Sequence, residues 1–197
     1  MSTPASIAIL ALMIITSTSL LLTTHWRWCI GALAIQYIGV LILVSQELPL
    51  GLAIIKLIAG WMSAAVLGLS QMELKETAGP TERRASSGRV FKLLAACMVL
   101  LIALSLSSTV SLWLPGLPTY SIQAGLVLIG IALLMLGMTS QPFQVAIGLL
   151  TLLSGFETLY AGVAPSILVA GLLAAINLGI SLAGSYLILL TAPGETS

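Results

Sequence analysis

Residues 141–190 read QPFQVAIGLLTLLSGFETLYAGVAPSILVAGLLAAINLGISLAGSYLILL. Two continuous apolar runs are joined by a short turn, Ala161 to Ser166, and each carries one side chain that hydrocarbon should reject. The first holds Glu157, the one acidic residue clearly inside a long apolar run. The second holds Asn177 near its centre. An ionisable group at membrane depth costs about 2.5–3.5 kcal/mol even on lenient insertion scales, so its presence points to function. The alternative is a carboxyl about two turns from the helix end that only packs or reaches for the interface.

Composition fixes the class. With 59% hydrophobic and 7% charged residues the chain lacks the polar surface a soluble domain needs, so it is expected to be an all-α integral membrane protein of about seven transmembrane helices. A net charge of +1 and the lack of a basic domain argue against nucleic acid. Cys29 and Cys97 form no CxxC or Cys/His cluster; they read as small buried hydrophobes, with no disulfide and no metal. The single histidine, His25, excludes His-based metal clusters and haem pairs.

Seven runs are long enough to cross a core of about 30 Å at about 1.5 Å per residue. They lie near Pro4–Thr23, Cys29–Ser45, Leu50–Gln71, Phe91–Leu114, Ser121–Thr139, Phe143–Tyr160 and Ser166–Leu190. MSTPAS lacks a basic leader, so the first run is kept as a helix rather than a signal peptide. The runs are continuous rather than alternating, which excludes barrel strands. Five of the seven basic residues, Lys75, Arg83, Arg84, Arg89 and Lys92, fall in QMELKETAGPTERRASSGRVFK, the stretch that joins the third run to the start of the fourth. The positive-inside tendency makes that loop cytoplasmic, with the N-terminus outside and the C-terminus inside. Its charge cluster needs no partner beyond solvent. Trp26, Trp28, Trp113, Tyr120 and Tyr160 sit where an interfacial belt would; Trp61 is mid-helix, at a helix contact or a lipid groove.

Helix three carries a second awkward charge, Lys56, followed by a small-residue face at Gly60, Ser63, Ala64 and Gly68 that invites close helix approach. Lys56 has two readings: a pair with Glu47 in the QELP turn, or a part in a proton relay. Gln36, central in helix two, is expected to be an interhelical hydrogen-bond donor. On helix seven, Ala170, Ala174, Asn177, Ser181 and Gly184 share a face; on helix six, Ser154, Glu157 and Tyr160 do. Where those faces meet, Glu157 and Asn177 share a polar seam. Aligning Ile30 and Gly31 with Ile147 and Gly148 also suggests a parallel repeat of helices one to three and five to seven, with helix four as the crossover. The expected organisation is an N-terminal three-helix unit (1–71), a cytoplasmic basic loop (72–91), a crossover helix and outer loop (92–120) and a C-terminal three-helix unit (121–197).

The lysine in LAIIKLIAGWMSAAVL, the charged loop, SQPFQVAIGLLTLLSGFETLY, a Pro-containing turn and a final helix with a central polar residue together resemble the E-type membrane protein of hydrogenase-4 and formate hydrogenlyase-type complexes. The last three helices are similar to the K subunit of NADH:quinone oxidoreductase and the C subunit of multisubunit sodium/proton antiporters. The resemblance covers most of the chain and rests on topology and a few polar positions. It implies a multi-pass place in the cell (inner) membrane, in the membrane arm of a complex I-like machine beside antiporter-like subunits. There, buried carboxylates on the second and third helices of the K-like unit help carry protons. Glu157 matches the first of these, displaced by a turn or two toward the outer side. The second falls on Asn177, which cannot release a proton and so departs from a full relay. Lys56 matches the lysine of the third helix in the hydrogenase-type protein.

Two readings stay open: a proton-conducting subunit with Glu157 as exchangeable carboxyl and Lys56 as modulator, and Gln36, Glu47, Ser154 and Tyr160 as supporting polar groups; or a structural subunit whose polar residues serve packing. A free-standing transporter fits less well, because few polar groups could form a substrate site. The chain has no CxxC set, His pair or Gly-rich nucleotide loop, so it reads as a non-catalytic subunit with no cofactor of its own, redox groups belonging to partners.

Overall fold

The structure is a computed structural model describing residues 3–23, 25–47, 49–77, 88–163 and 166–190. It contains seven helices, α1 (Thr3–Leu22), α2 (Trp26–Val44), α3 (Leu50–Thr77), α4 (Arg89–Trp113), α5 (Thr119–Met138), α6 (Pro142–Tyr160) and α7 (Ile167–Leu190). All seven are long and apolar enough to cross a membrane, the signature of a multi-pass membrane protein. Prolines mark several starts: Pro118 is the N-cap of α5, and Pro142 occupies the first turn of α6, where its missing N–H costs nothing. α3 runs on to Thr77, beyond the apolar run that ends near Gln71. Helical hydrogen bonding does not stop where hydrophobicity does, and MELKET contains good helix formers. Residues 72–77 therefore belong to a helix rather than to the basic loop. Arg83 and Arg84 lie outside the described residues, as does the side chain of Lys75.

Packing follows two rows. α1, α2 and α3 pack in sequence, and so do α5, α6 and α7. Across the rows α1 lies on α5, α2 on α6 and α3 on α7, while α4 flanks α5 and touches α1. One apolar cluster fills the end lined by Leu20, Leu33, Leu67, Ile131, Ile147 and Ile188; another fills the end lined by Met13, Val40, Leu43 and Leu128. α4 buries only Ala96, Ala103 and Ser107, and Cys97 lies on its exposed side. Cys97 is thus no buried hydrophobe, unlike Cys29, which is in the core.

The rows are copies at a constant offset. α1 spans 3–22 and α5 119–138; α2 spans 26–44 and α6 142–160. Close contacts repeat with the same register. A Cβ on Gly39 would run into Met13, and one on Gly155 would lie 2.8 Å from Cγ1 of Ile129. A Cβ on Gly68 would lie 3.0 Å from Cδ1 of Ile30, and one on Gly184 2.7 Å from Cβ of Ala146. Every residue here is 116 positions from its counterpart (155 − 39 = 116; likewise 129 and 13, 184 and 68, 146 and 30). The repeat suggested by Ile30 and Ile147 is therefore present, but one residue out of register. Apolar helices align about equally well at neighbouring shifts; a glycine that must admit one particular neighbour does not.

α5 and α6 cross most closely. A Cβ on Gly155 would stand 2.9 Å from the Gly125 carbonyl oxygen, so backbone meets backbone there and only glycine fits at both positions.

Candidate functional site: a buried ion pair between the rows

Lys56 faces inward from the second turn of α3, and its Nζ lies 3.9 Å from Oε2 of Glu157 on α6. Both side chains are almost wholly enclosed, at 5% and 1% exposure. The pairing with Glu47 expected from sequence is not made: among the described residues Lys56 forms its ion pair with Glu157, and Glu47 stays half-buried in the α2–α3 turn. Sequence proximity favoured Glu47. α3 instead turns Lys56 toward the second row, where a carboxylate already inside the protein is available.

Tyr37 organises the other side of the site. Its ring lies against Gly60, one turn beyond Lys56, at a place where any Cβ would overlap the ring. Its hydroxyl donates to Oδ1 of Asn177 at 3.2 Å, and Ser154 and Glu157 are its neighbours on α6. Glu157 and Asn177 thus share a seam, as their helix faces suggested, with Tyr37 between them. Sequence reasoning missed this tyrosine. The signal was a tyrosine halfway along an apolar helix, far from the ends where interfacial tyrosines sit.

Tyr37, Val40, Leu41, Val44, Ala53 and Leu57 close around the pair between α2, α3 and α6, packed too tightly to admit a water. Val44 ends α2 and Ala53 is in the first turn of α3, so this lining lies toward the α2–α3 turn. On the other side of Tyr37, polar groups continue along the α3–α7 contact. Ser63 and Ser181 are fully buried, and the hydroxyls of Ser70 and Ser185 touch across the two helices. Ser63 and Ser181 bond back to the carbonyls of Ala59 and Leu178. Lys56 to Ser70 is 14 residues of helix, about 21 Å at 1.5 Å per residue.

Among the described residues, some of these groups have no partner. Neither oxygen of Glu157 accepts a hydrogen bond, Asn177 Nδ2 donates to nothing, and both ends of the buried Gln36 amide are unpaired. Gln36 is therefore not the interhelical donor expected of it. Buried polar atoms of this kind are uncommon and call for a water, an ion or a functional reason. Ser154 donates to the Leu150 carbonyl. Tyr160 does not join the seam; its ring stacks on Phe156 at 5.9 Å between centroids, on the more exposed side of α6. Trp61 is half-exposed and donates to the Ala34 carbonyl at 3.2 Å, a contact between α3 and α2.

Chemically, the arrangement is a carboxylate and an ammonium at helix depth, with a phenol and an amide beside them. It can hold or exchange a charge; among the described residues no group of three or more His, Cys, Asp or Glu could hold a metal. Compared with family models, characterised proteins and solved structures, the chain matches none.

Proposed function

We propose that this protein is a membrane-arm subunit of a complex I-like or group 4 hydrogenase-like, redox-driven proton (or sodium) pump, in which Glu157 exchanges protons and Lys56 sets its charge state. The observation that carries this reading is the buried Lys56–Glu157 pair, whose carboxylate accepts no hydrogen bond from the described residues. A pair kept only for stability would be expected to satisfy its remaining lone pairs, because attraction alone seldom repays desolvation. One further feature supports it: the hydroxyls that continue beyond Tyr37 along α3 and α7. Antiporter-like and other membrane subunits are the partners this role requires, and redox cofactors belong to them.

A structural subunit without ion conduction is the second reading. Asn177 favours it, since an amide at the second relay position orients water but releases no proton.

Glu157→Gln separates the two in the intact complex reconstituted into vesicles. The relay predicts that electron transfer continues or slows while protons moved per electron fall, and that Asn177→Asp is tolerated or raises conduction. Normal pumping by the Gln variant, with the complex intact, leaves the structural reading standing.

A further inference from the structure

The two rows stack head to tail. With matched helices facing each other across the rows, the first row covers one face of the second with the opposite face of its own, and the second is left with an uncovered copy of the covering face. Burial at a set of matched positions follows this logic. On α3, Lys56, Ala59, Ser63, Leu67 and Ser70 are buried; Leu67 packs beside Gly184, and Ser70 meets Ser185 on α7. Their counterparts 116 positions on, Leu172, Ala175, Gly179, Ala183 and Tyr186, are all exposed. On α2 and α6 one pair shows the same reversal, Val40 buried and Phe156 exposed, while most other buried residues of α2 have half-buried counterparts. The reverse holds on the other side. Ile35, Ile38 and Trp61 are exposed, whereas their counterparts Thr151, Ser154 and Asn177 are buried between the rows.

We infer that the exposed face of α6 and α7 is a docking surface for a second copy of this chain, which seats the outward face of its α2 and α3 there and so repeats the contact already made between the rows. Both halves of such an interface are on the molecule. The receiving face carries Gly171, Ala175, Gly179 and Ala183 one helical turn apart, and a Cβ on either glycine would meet nothing within 4 Å. Glycine weakens a helix by about 1 kcal/mol relative to alanine, and no close approach among the described residues accounts for these two. The incoming face is bulky where the receiving face is small, with Ile58, Trp61, Met62 and Leu69 exposed on α3. Small residues on one helix let a large-residue ridge approach closely, which is how apolar helices associate where no water drives them together. The contact is heterologous: it uses two different faces, so copies continue in one direction or close into a ring.

Cysteine crosslinking in native membranes tests this with the full chain. The inner contact between Ser70 and Ser185 maps onto Tyr186 of one copy against Leu69 of the next. In a Cys97→Ser background, which removes the exposed native thiol, Leu69→Cys and Tyr186→Cys chains carrying different tags are co-expressed and oxidised. The expected product is a dimer bearing both tags, formed by the mixed pair and not by either variant alone, and abolished by adding Gly179→Leu to the Tyr186→Cys chain. Ser70→Cys with Ser185→Cys in one chain is the internal control, closing without a change in mass. Absence of the mixed dimer while the control closes overturns the proposal. So does equal self-dimerisation of each single variant, which would mean an isologous contact, and so does capture of a different polypeptide by Tyr186→Cys, which would assign the face to another protein of the complex.

Discussion

Separating Lys56 from Glu157 should show how the two rows are held together near the ends of α3 and α6 that flank the α2–α3 turn. At 3.9 Å and an effective dielectric of about 20, the attraction is about 4 kcal/mol. Desolvating the two charges costs several kcal/mol per ion, so the pair as a whole adds little or nothing beyond what neutral side chains would supply. Removing one partner has a different consequence, because the other is stranded at 5% exposure or less. Lys56→Met and Glu157→Gln should each destabilise the fold by about 3–5 kcal/mol, whereas the double variant should regain most of that loss. Equilibrium unfolding in mixed micelles, titrated with a denaturing detergent, reads all four corners of the cycle. Single variants that cost under about 1 kcal/mol each, with an additive double, would mean that the two charges do not depend on one another and would refute the account of the site given above.

Other variants probe the surrounding packing. Gly60→Ala places a methyl where the Tyr37 ring lies; overpacking of this kind costs about 1–3 kcal/mol and should lower both the unfolding midpoint and the yield of protein in membranes. Gly155→Ala should cost at least as much in the same assay, because the nearest obstacles include the backbone of Gly125 and Ile129 rather than a flexible side chain alone. Tyr37→Phe keeps the ring and deletes one hydrogen bond to Asn177, so its loss should be only about 1 kcal/mol by unfolding, with assembly unchanged.

The helices were legible because nothing interrupts their apolar runs, and a chain in hydrocarbon must satisfy its backbone within each span. Glu157, Lys56 and Asn177 stood out for the same reason: polarity is conspicuous where almost everything else is apolar. What the sequence did not disclose is which of them meet. Lys56 and Glu47 are nine positions apart, Lys56 and Glu157 more than a hundred, and only the stacking of α2 and α3 on α6 and α7 brings the distant pair together. Tyr37 escapes notice because a tyrosine is ordinary in an apolar run until its hydroxyl is seen to bridge to Asn177. Ala174 shares the expected contact face of α7 with Asn177, yet it is only half-buried; the covered stripe follows Ala170, Leu173, Asn177, Ser181 and Gly184. A stripe of small residues tells where helices approach closely, and two such stripes on one helix leave open which is used within the chain.

α4 contributes little to the interior, but parity gives it a purpose. A unit of three membrane-crossing helices ends on the side opposite to where it began, so a copy joined directly to it would be threaded upside down. One additional crossing restores the starting side, and α3 and α7 do run in the same direction, with Leu67 beside Gly184 and Gly60 level with Asn177 around Tyr37. Excising α4 while leaving both units intact would therefore exchange a translational relation between the halves for an antiparallel one. Their facing surfaces, matched for parallel stacking, would no longer coincide.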